Sequence, residues 1–260
     1  MSEKQDTSPL PTDIGPNFPY RPIERLHRGE GSMAQVFLSQ KSDSTPAALV
    51  VLKIEIINSF NRDSSQEAII NEVDILLRLN HTGIVKLYPI EGNNLQPRQF
   101  EYRKTCNLPG QPWFLVLEHL PGGSLVDLCD AQRDRLPLAH TVAIVQMVAN
   151  ALAHVHERGY VHMDLKPQHI YFRRPSTIND PGDPVLIDFG IARSKERSIY
   201  ELQQQQRVSS YTAPERLLAQ RDQKAYTVHP AADLYALGVI LYEMISGQSP
   251  FKISDPLTLL

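Results

Sequence analysis

Residues 160–170 read Tyr-Val-His-Met-Asp-Leu-Lys-Pro-Gln-His-Ile, and Asp188-Phe189-Gly190 follows downstream. Asp164 and Lys166 therefore share one tight loop, with Pro167 next in the chain. Residues 138–158 lead into it with apolar side chains at helical spacing, and Val142, Val145, Val148, Leu152 and Val155 form the expected inward stripe. A fold that accepts this run must deliver a buried helix into a loop of charged side chains. It must then set a second carboxylate beside a glycine, one short hairpin further on. Phosphoryl transfer asks for little covalent chemistry. It needs a base to orient a hydroxyl, a cation near the moving phosphate and a carboxylate to hold Mg²⁺. Asp164, Lys166 and Asp188 are candidates for those three tasks.

At 260 residues the chain has room for one large domain or two small ones. Its net charge of −3 gives no reason to expect a nucleic-acid partner or an anionic membrane. Cys106 and Cys129 are too few for a disulfide framework and suit a reducing, cytoplasmic setting. The start at Met1 lacks a basic-then-apolar signal pattern. No segment is expected to span a bilayer, and the most apolar run, 234–245, is broken by Gly238 and Glu243 and reads as a buried helix.

Residues 1–20 are rich in Pro, Ser, Asp and Thr and read as a disordered lead-in. From 21 to 118 the chain looks strand-rich, with strand signals at 35–38, 48–54, 84–87 and 114–117. One helix is expected from a capping-box pattern, Ser64-Ser65-Gln66-Glu67, to about Leu79. Residues 93–112, with Pro97, Pro109, Gly110 and Pro112, read as a long inserted loop. Beyond Pro137 the pattern turns helical, at 138–158 and again at 231–246.

Two charges stand out against apolar surroundings. On the strand at 48–54, period two puts Leu49, Val51 and Lys53 on one face. On the helix, Ile69, Val73 and Leu76 mark the buried stripe, and Glu72 lies on the same side. A carboxylate aimed at a core is costly unless paired, and Lys53 is its natural partner. The bland alternatives are an exposed edge-strand Lys and a Glu reaching solvent at the edge of the stripe.

Together these landmarks resemble the catalytic domain of eukaryotic-type serine/threonine protein kinases, from about Tyr20 to Leu260. The resemblance implies an α+β, two-lobed protein-kinase-like fold: a β-rich N-lobe with one helix at 21–118, a hinge at 118–124 and a helical C-lobe, here partial, at 125–260. It implies ATP and Mg²⁺ as cofactors, with Mn²⁺ as the second candidate, and a protein substrate. Residues 29–36, Gly-Glu-Gly-Ser-Met-Ala-Gln-Val, resemble the Gly-rich phosphate loop, with Gly29, Gly31 and Ala34 in its three Gly positions. By the same resemblance Val36 and Val51 would sandwich adenine, Lys53 would reach the α/β-phosphates, and Glu72 would pair with it. Leu117 would lie behind the base, and backbone groups of Glu118 and Leu120 would bond its edge. Asp164 would accept the hydroxyl proton, Lys166 would steady the γ-phosphate, and Asp188 would hold the metal. His162 would stack with Leu76, Leu87 and Phe189, Asp233 would bond the backbone near His162, and Ala213-Pro214-Glu215 would close the activation segment. Glu215 would need an Arg from sequence beyond Leu260, so a longer C-terminal lobe or further domains are expected.

Three positions depart from the family pattern. Met163 stands in place of an Arg, so a phosphate on the activation segment would lack that partner. His169 stands in place of an Asn that holds the second Mg²⁺; imidazole suits Mn²⁺- or Zn²⁺-class ions better than Mg²⁺. Val208 stands where a Thr or Ser is usual. Two functions follow as alternatives: an active serine/threonine kinase, or a pseudokinase that binds ATP or scaffolds without turnover. A small-molecule kinase fits the protein-type activation segment poorly.

Overall fold

A computed structural model of the chain describes residues 10–11, 14, 18–26, 34–41, 48–56, 62–90, 102–131, 136–177, 180–199 and 209–251. The chain divides into two compact units, Met1–Val73 with Lys86–His119, and Asp74–Val85 with Leu120–Leu260.

The first unit is built on β1 (Tyr20–Leu26), β2 (Ala34–Lys41), β3 (Ala48–Glu55), β4 (Leu87–Tyr88), β5 (Arg103–Lys104) and β6 (Trp113–Glu118). They form one antiparallel sheet in the order β1-β2-β3-β6-β4, with β5 added on β6. Register sets Val36 opposite Lys53, Lys53 opposite Leu115, and Val51 opposite Leu117. Alternation then separates two faces. Phe37, Val50, Leu52, Ile54, Phe114 and Val116 share one buried cluster. Val36, Val51, Lys53, Leu115 and Leu117 lie on the other. Burial of Val50, Val51, Leu52 and Ile54 on the two faces matches the apolar run in the middle of β3, while Leu49 near its start is 42% exposed.

Helix α1 (Arg62–Leu76) starts two residues before the expected capping box. The expected cap, Ser64, therefore sits inside the first turn, and the Ser65 hydroxyl donates to Ile56 O at 3.2 Å. The helix ends at Leu76, and a tight turn carries the chain to Leu79, where Leu79 N donates to Leu76 O at 3.2 Å. The expected stripe is buried as Ile69, Val73 and Leu76. Most of the expected disordered lead-in lies outside the described residues. Where it is described it packs: Ile14 is 1% exposed, and the Phe18 ring meets Phe114 edge-on at 5.2 Å. The inserted stretch is described from Tyr102. It contains β5, and beyond that strand Cys106 N donates to Ile14 O at 2.9 Å.

The second unit contains α2 (Leu125–Ala131), α3 (Leu138–Glu157), β7 (Tyr160–Val161), a 3₁₀ turn (Pro167–His169), β8 (Ile170–Phe172) and β9 (Pro184–Leu186). It continues through β10 (Arg193–Ser194), β11 (Ser198–Ile199), α4 (Pro214–Arg221), β12 (Tyr226–Thr227) and α5 (Ala231–Ser246). Three two-stranded ribbons pair β7 with β10, β8 with β9, and β11 with β12. Of the strand expected at 84–87, only Leu87 is in a strand; Ile84 makes a lone bridge to Leu186.

Helix α3 buries Thr141, Ile144, Val148, Ala151, Leu152 and Val155. Val142, expected inward, is 52% exposed, because the stripe runs through Thr141 and Ile144 and turns position 142 outward. By length and composition α3 is also apolar enough to cross a membrane, contrary to the expectation of no such segment. Its buried stripe packs on α5, β7 and β9. Gly159, at φ 84°, takes the left-handed conformation that turns the chain from α3 into β7.

Candidate functional site

In the first unit, Lys53 Nζ lies 2.5 Å from Glu72 Oε2. The side chains are 13% and 1% exposed, so the pair is withdrawn from water. Strand alternation aims Lys53 off the Val36–Leu117 face of the sheet, and the helical period aims Glu72 along the Ile69–Val73 stripe. Breaking such a pair strands a buried charge, at a cost of about 3–5 kcal/mol. Ala34 opens β2 and is buried, while Gly29 and Gly31 lie outside the described residues. Glu118 N donates to Lys86 O at 3.0 Å, and Glu118 Oε1 accepts from Lys86 N at 2.9 Å. Leu120 is buried and belongs to the second unit.

The second unit gathers Asp164, Lys166, His169 and Asp188. Asp233, near the start of α5 and 1% exposed, fixes the loop that carries them. Its Oδ2 accepts from His162 N at 2.9 Å and pairs with His156 Nε2 at 2.8 Å; its Oδ1 accepts from Met163 N at 2.9 Å. Met163 has φ 71°, an uncommon conformation for an unbranched but bulky side chain. Both of its backbone polar groups are clamped, since its carbonyl also accepts from Arg216 Nη1 at 2.7 Å. Its side chain packs with Val161, Tyr226 and Val228. Such strain persists only where the surroundings over-determine it, and here two hydrogen bonds and an apolar socket do so.

His162 is fully buried. Its Nε2–H donates to Ile187 O at 3.0 Å, because a carbonyl can only accept. Its Nδ1 is then free of hydrogen and accepts from Asp164 N at 3.3 Å. The ring lies 4.8 Å from Phe189. His162 is thus a positioning residue, as expected from the sequence.

Asp164 and Lys166 carry 34% and 30% side-chain exposure, with Lys166 Nζ 3.0 Å from Asp164 Oδ2. The carboxylate is partly open to solvent and already has a cation beside it. His169 is nearly buried. Its Nδ1–H donates to Asp164 O at 2.8 Å, and its Nε2 lies 3.4 Å from Asp188 Oδ2. Burial pushes the His169 imidazole below its ordinary pKa, while Asp188 and Asp164 pull the other way. Asp188 has φ 63°, a left-handed conformation that Asp tolerates better than most residues, and its Oδ1 accepts from Gly190 N at 3.4 Å. Asp188 could supply a hard oxygen to Mg²⁺ or Mn²⁺, and His169 could supply a nitrogen beside it.

Several contributors were not singled out from the sequence. Arg216 follows Ala213-Pro214-Glu215 directly, and only its burial, at 6% exposure, reveals its bond to the Met163 carbonyl. Tyr211 OH donates to Glu243 Oε2 at 2.7 Å and so ties the end of the activation segment to α5. Glu215, for which the resemblance implies an Arg partner, is exposed. Val208 lies outside the described residues.

Residues 23–258 match the protein kinase domain family. The chain is 30% identical over 225 residues to the DNA damage-responsive serine/threonine-protein kinase RqkA of Deinococcus radiodurans, covering 86% of this chain and 29% of that protein. It is 31% identical over 189 residues to the serine/threonine-protein kinase PknL of Mycobacterium tuberculosis, covering 72% of this chain and 40% of PknL. Over 242 residues it is 29% identical to the serine/threonine-protein kinase ULK1 of Homo sapiens, covering 88% of this chain and 19% of ULK1. The chain therefore spans well under half the length of each of these relatives.

Proposed function

The chain belongs to the protein kinase domain family, and on that premise we propose that it transfers the γ-phosphoryl group of ATP to serine or threonine hydroxyls of proteins. One observation carries this reading: Asp164 and Lys166 stand 3.0 Å apart, partly exposed, on a loop whose backbone is clamped to buried Asp233. In this reading Asp164 accepts the proton of the attacking hydroxyl, and Lys166 holds the transferred phosphoryl group against its developing charge. Lys53, oriented by Glu72, positions the α/β-phosphates. Asp188 would hold the divalent cation, Mg²⁺ or Mn²⁺, which when bound neutralises charge on the phosphates. Val36, Val51 and backbone groups of Glu118 and Leu120 would meet the adenine, and Gly29, Gly31 and Ala34 the phosphates. The serine/threonine kinase names of the relatives support the substrate class. The two free cysteines, Cys106 and Cys129, fit a cytoplasmic setting.

A second reading, a pseudokinase, is favoured by one specific observation: an imidazole, not an amide oxygen, faces Asp188. ATP binding followed by calorimetry, set beside ATP-dependent phosphorylation of a generic protein substrate, separates the two. Binding with turnover, lost in Lys166→Ala, supports the kinase. Binding with no turnover in either Mg²⁺ or Mn²⁺ supports the pseudokinase.

A further inference from the structure

The peptide unit between Met163 and Asp164 is held at both ends. Its N–H, on Asp164, donates to His162 Nδ1 at 3.3 Å. Its carbonyl, on Met163, accepts from Arg216 Nη1 at 2.7 Å. The peptide before it is held by Asp233, whose Oδ1 accepts from Met163 N at 2.9 Å. A peptide unit is planar and turns as one piece, so rotating this one resets φ of residue 164 and swings the Cα–Cβ bond of Asp164. Met163 cannot resist such a rotation by its own preference, because at φ 71° a non-glycine residue stays only under outside restraint. Asp233 supplies that restraint on the amide side of Met163, from α5. Arg216 supplies it on the carbonyl side, from α4.

Arg216 is buried, is the third residue of α4, and lies 53 residues along the chain from the carbonyl it bonds. Its guanidinium is always charged, so this short bond is charge-assisted and directional. Arg216 also follows Ala213-Pro214-Glu215 directly, and Tyr211 OH donates to Glu243 Oε2 just before them. A displacement of residues 211–216 is therefore passed to the Met163 carbonyl. We propose that Arg216 is a positioning residue for Asp164: by holding the Met163 carbonyl it orients the carboxylate and couples the end of the 209–216 segment to the loop that carries it. The inference rests on the phosphotransferase reading for the task of Asp164, while the hydrogen-bonded link is independent of that reading. Position 163 offers an apolar side chain, and Arg216 brings a cation to the backbone of that same residue from another element. The competing role is packing alone, in which loss of Arg216 lowers stability without changing turnover per folded molecule.

The test compares wild type, Arg216→Met and Arg216→Lys as whole chains, well below their melting temperatures. Calorimetric stoichiometry of ATP binding counts the folded molecules, and kcat is taken per binding site. For Arg216→Met the expected result is a kcat about 10- to 100-fold lower, the cost of a small misplacement of a reacting group, with KM for ATP changed by no more than about twofold. Arg216→Lys keeps a cationic donor and should retain several-fold more turnover than Arg216→Met. Hydrogen exchange should be about tenfold faster at the Met163 and Asp164 amides of Arg216→Met, and unchanged along α3. Where Arg216→Met does not fold, Arg216→Gln takes its place with the same expectations. An unchanged kcat per site, a Lys variant no better than the Met variant, or unchanged exchange at 163 and 164 would overturn the proposal. A wild type that transfers no phosphoryl group in Mg²⁺ or Mn²⁺ removes the kinase reading instead; faster exchange in Arg216→Met then leaves the link standing, and unchanged exchange removes it as well.

Discussion

Replacing Asp233 by Asn tests whether the catalytic loop is held by one buried carboxylate. The native side chain accepts from Met163 N on one oxygen, and from His162 N and the His156 ring on the other, all at 2.8–2.9 Å. An Asn keeps its shape but has a single acceptor oxygen. Placed to keep His162 and His156, it turns its NH₂ toward the Met163 N–H, donor against donor. One buried N–H then loses its partner, at about 1–3 kcal/mol. The remaining bonds lose their charge assistance and with it roughly half their strength. The sum is about 3–5 kcal/mol, a large share of the roughly 5–15 kcal/mol that holds a domain folded. The loss falls where Met163 is already strained at φ 71°, so the loop should relax there first. Urea unfolding should show the reduced midpoint, and the phosphorylation rate should fall more than ATP affinity, since Asp233 touches no substrate. Asp222→Asn, on the exposed end of α4, is the control and should change neither. An Asp233→Asn protein within about 0.5 kcal/mol of wild type and with unchanged turnover would refute the clamp.

Three further outcomes follow from the same contacts. Lys53→Met should abolish phosphoryl transfer and also cost about 3 kcal/mol or more, because Glu72 is left charged and buried; adding Glu72→Leu should restore the melting temperature but not activity. Met163→Arg, which returns the family's usual residue, should destabilise by roughly 3 kcal/mol, since the socket of Val161, Tyr226 and Val228 is apolar and Arg216 is adjacent; a more stable variant in thermal melts would contradict that packing. Burial, then Asp130 and Glu243, push the Cys129 thiol up to about 11, so at pH 8 only about one thiol in a thousand is ionised. Disulfide-reagent labelling should therefore show a slow phase that disappears in Cys129→Ser and speeds up about tenfold per pH unit between pH 8 and 10.

The parts of the site that were legible from sequence are those fixed by backbone periodicity. Lys53 is a charge at an even position of a buried strand, and Glu72 is a charge on a buried helical stripe, so each implied the other before their 2.5 Å contact was known. The spacing of Asp164, Lys166, His169 and Asp188 around one loop and one hairpin likewise carried over. What was not legible depends on long-range neighbours. Ile14 and Phe18 sit in a polar, Pro-rich segment and bury only because the β5–β6 hairpin meets them. Val142 was placed inward by its apolarity, although Thr141 holds the buried position beside it. Met163 read as the loss of a charge; its role as a packed, strained anchor needed Tyr226, Val228 and Arg216, which lie far along the chain. Ser64 read as the helix cap, but the helix starts two residues earlier, at Arg62, and Ser64 falls inside its first turn.

The most direct test of the central claim is phosphoamino-acid analysis after incubation with γ-labelled ATP, comparing wild type with Asp164→Asn in Mg²⁺ and in Mn²⁺. The predicted result is label on serine or threonine of a protein substrate in the wild type, and a loss of at least a hundredfold in Asp164→Asn with ATP binding retained. Equal labelling by the two proteins would contradict the assignment of Asp164 as the base. An unlabelled substrate with both ions would contradict kinase activity itself.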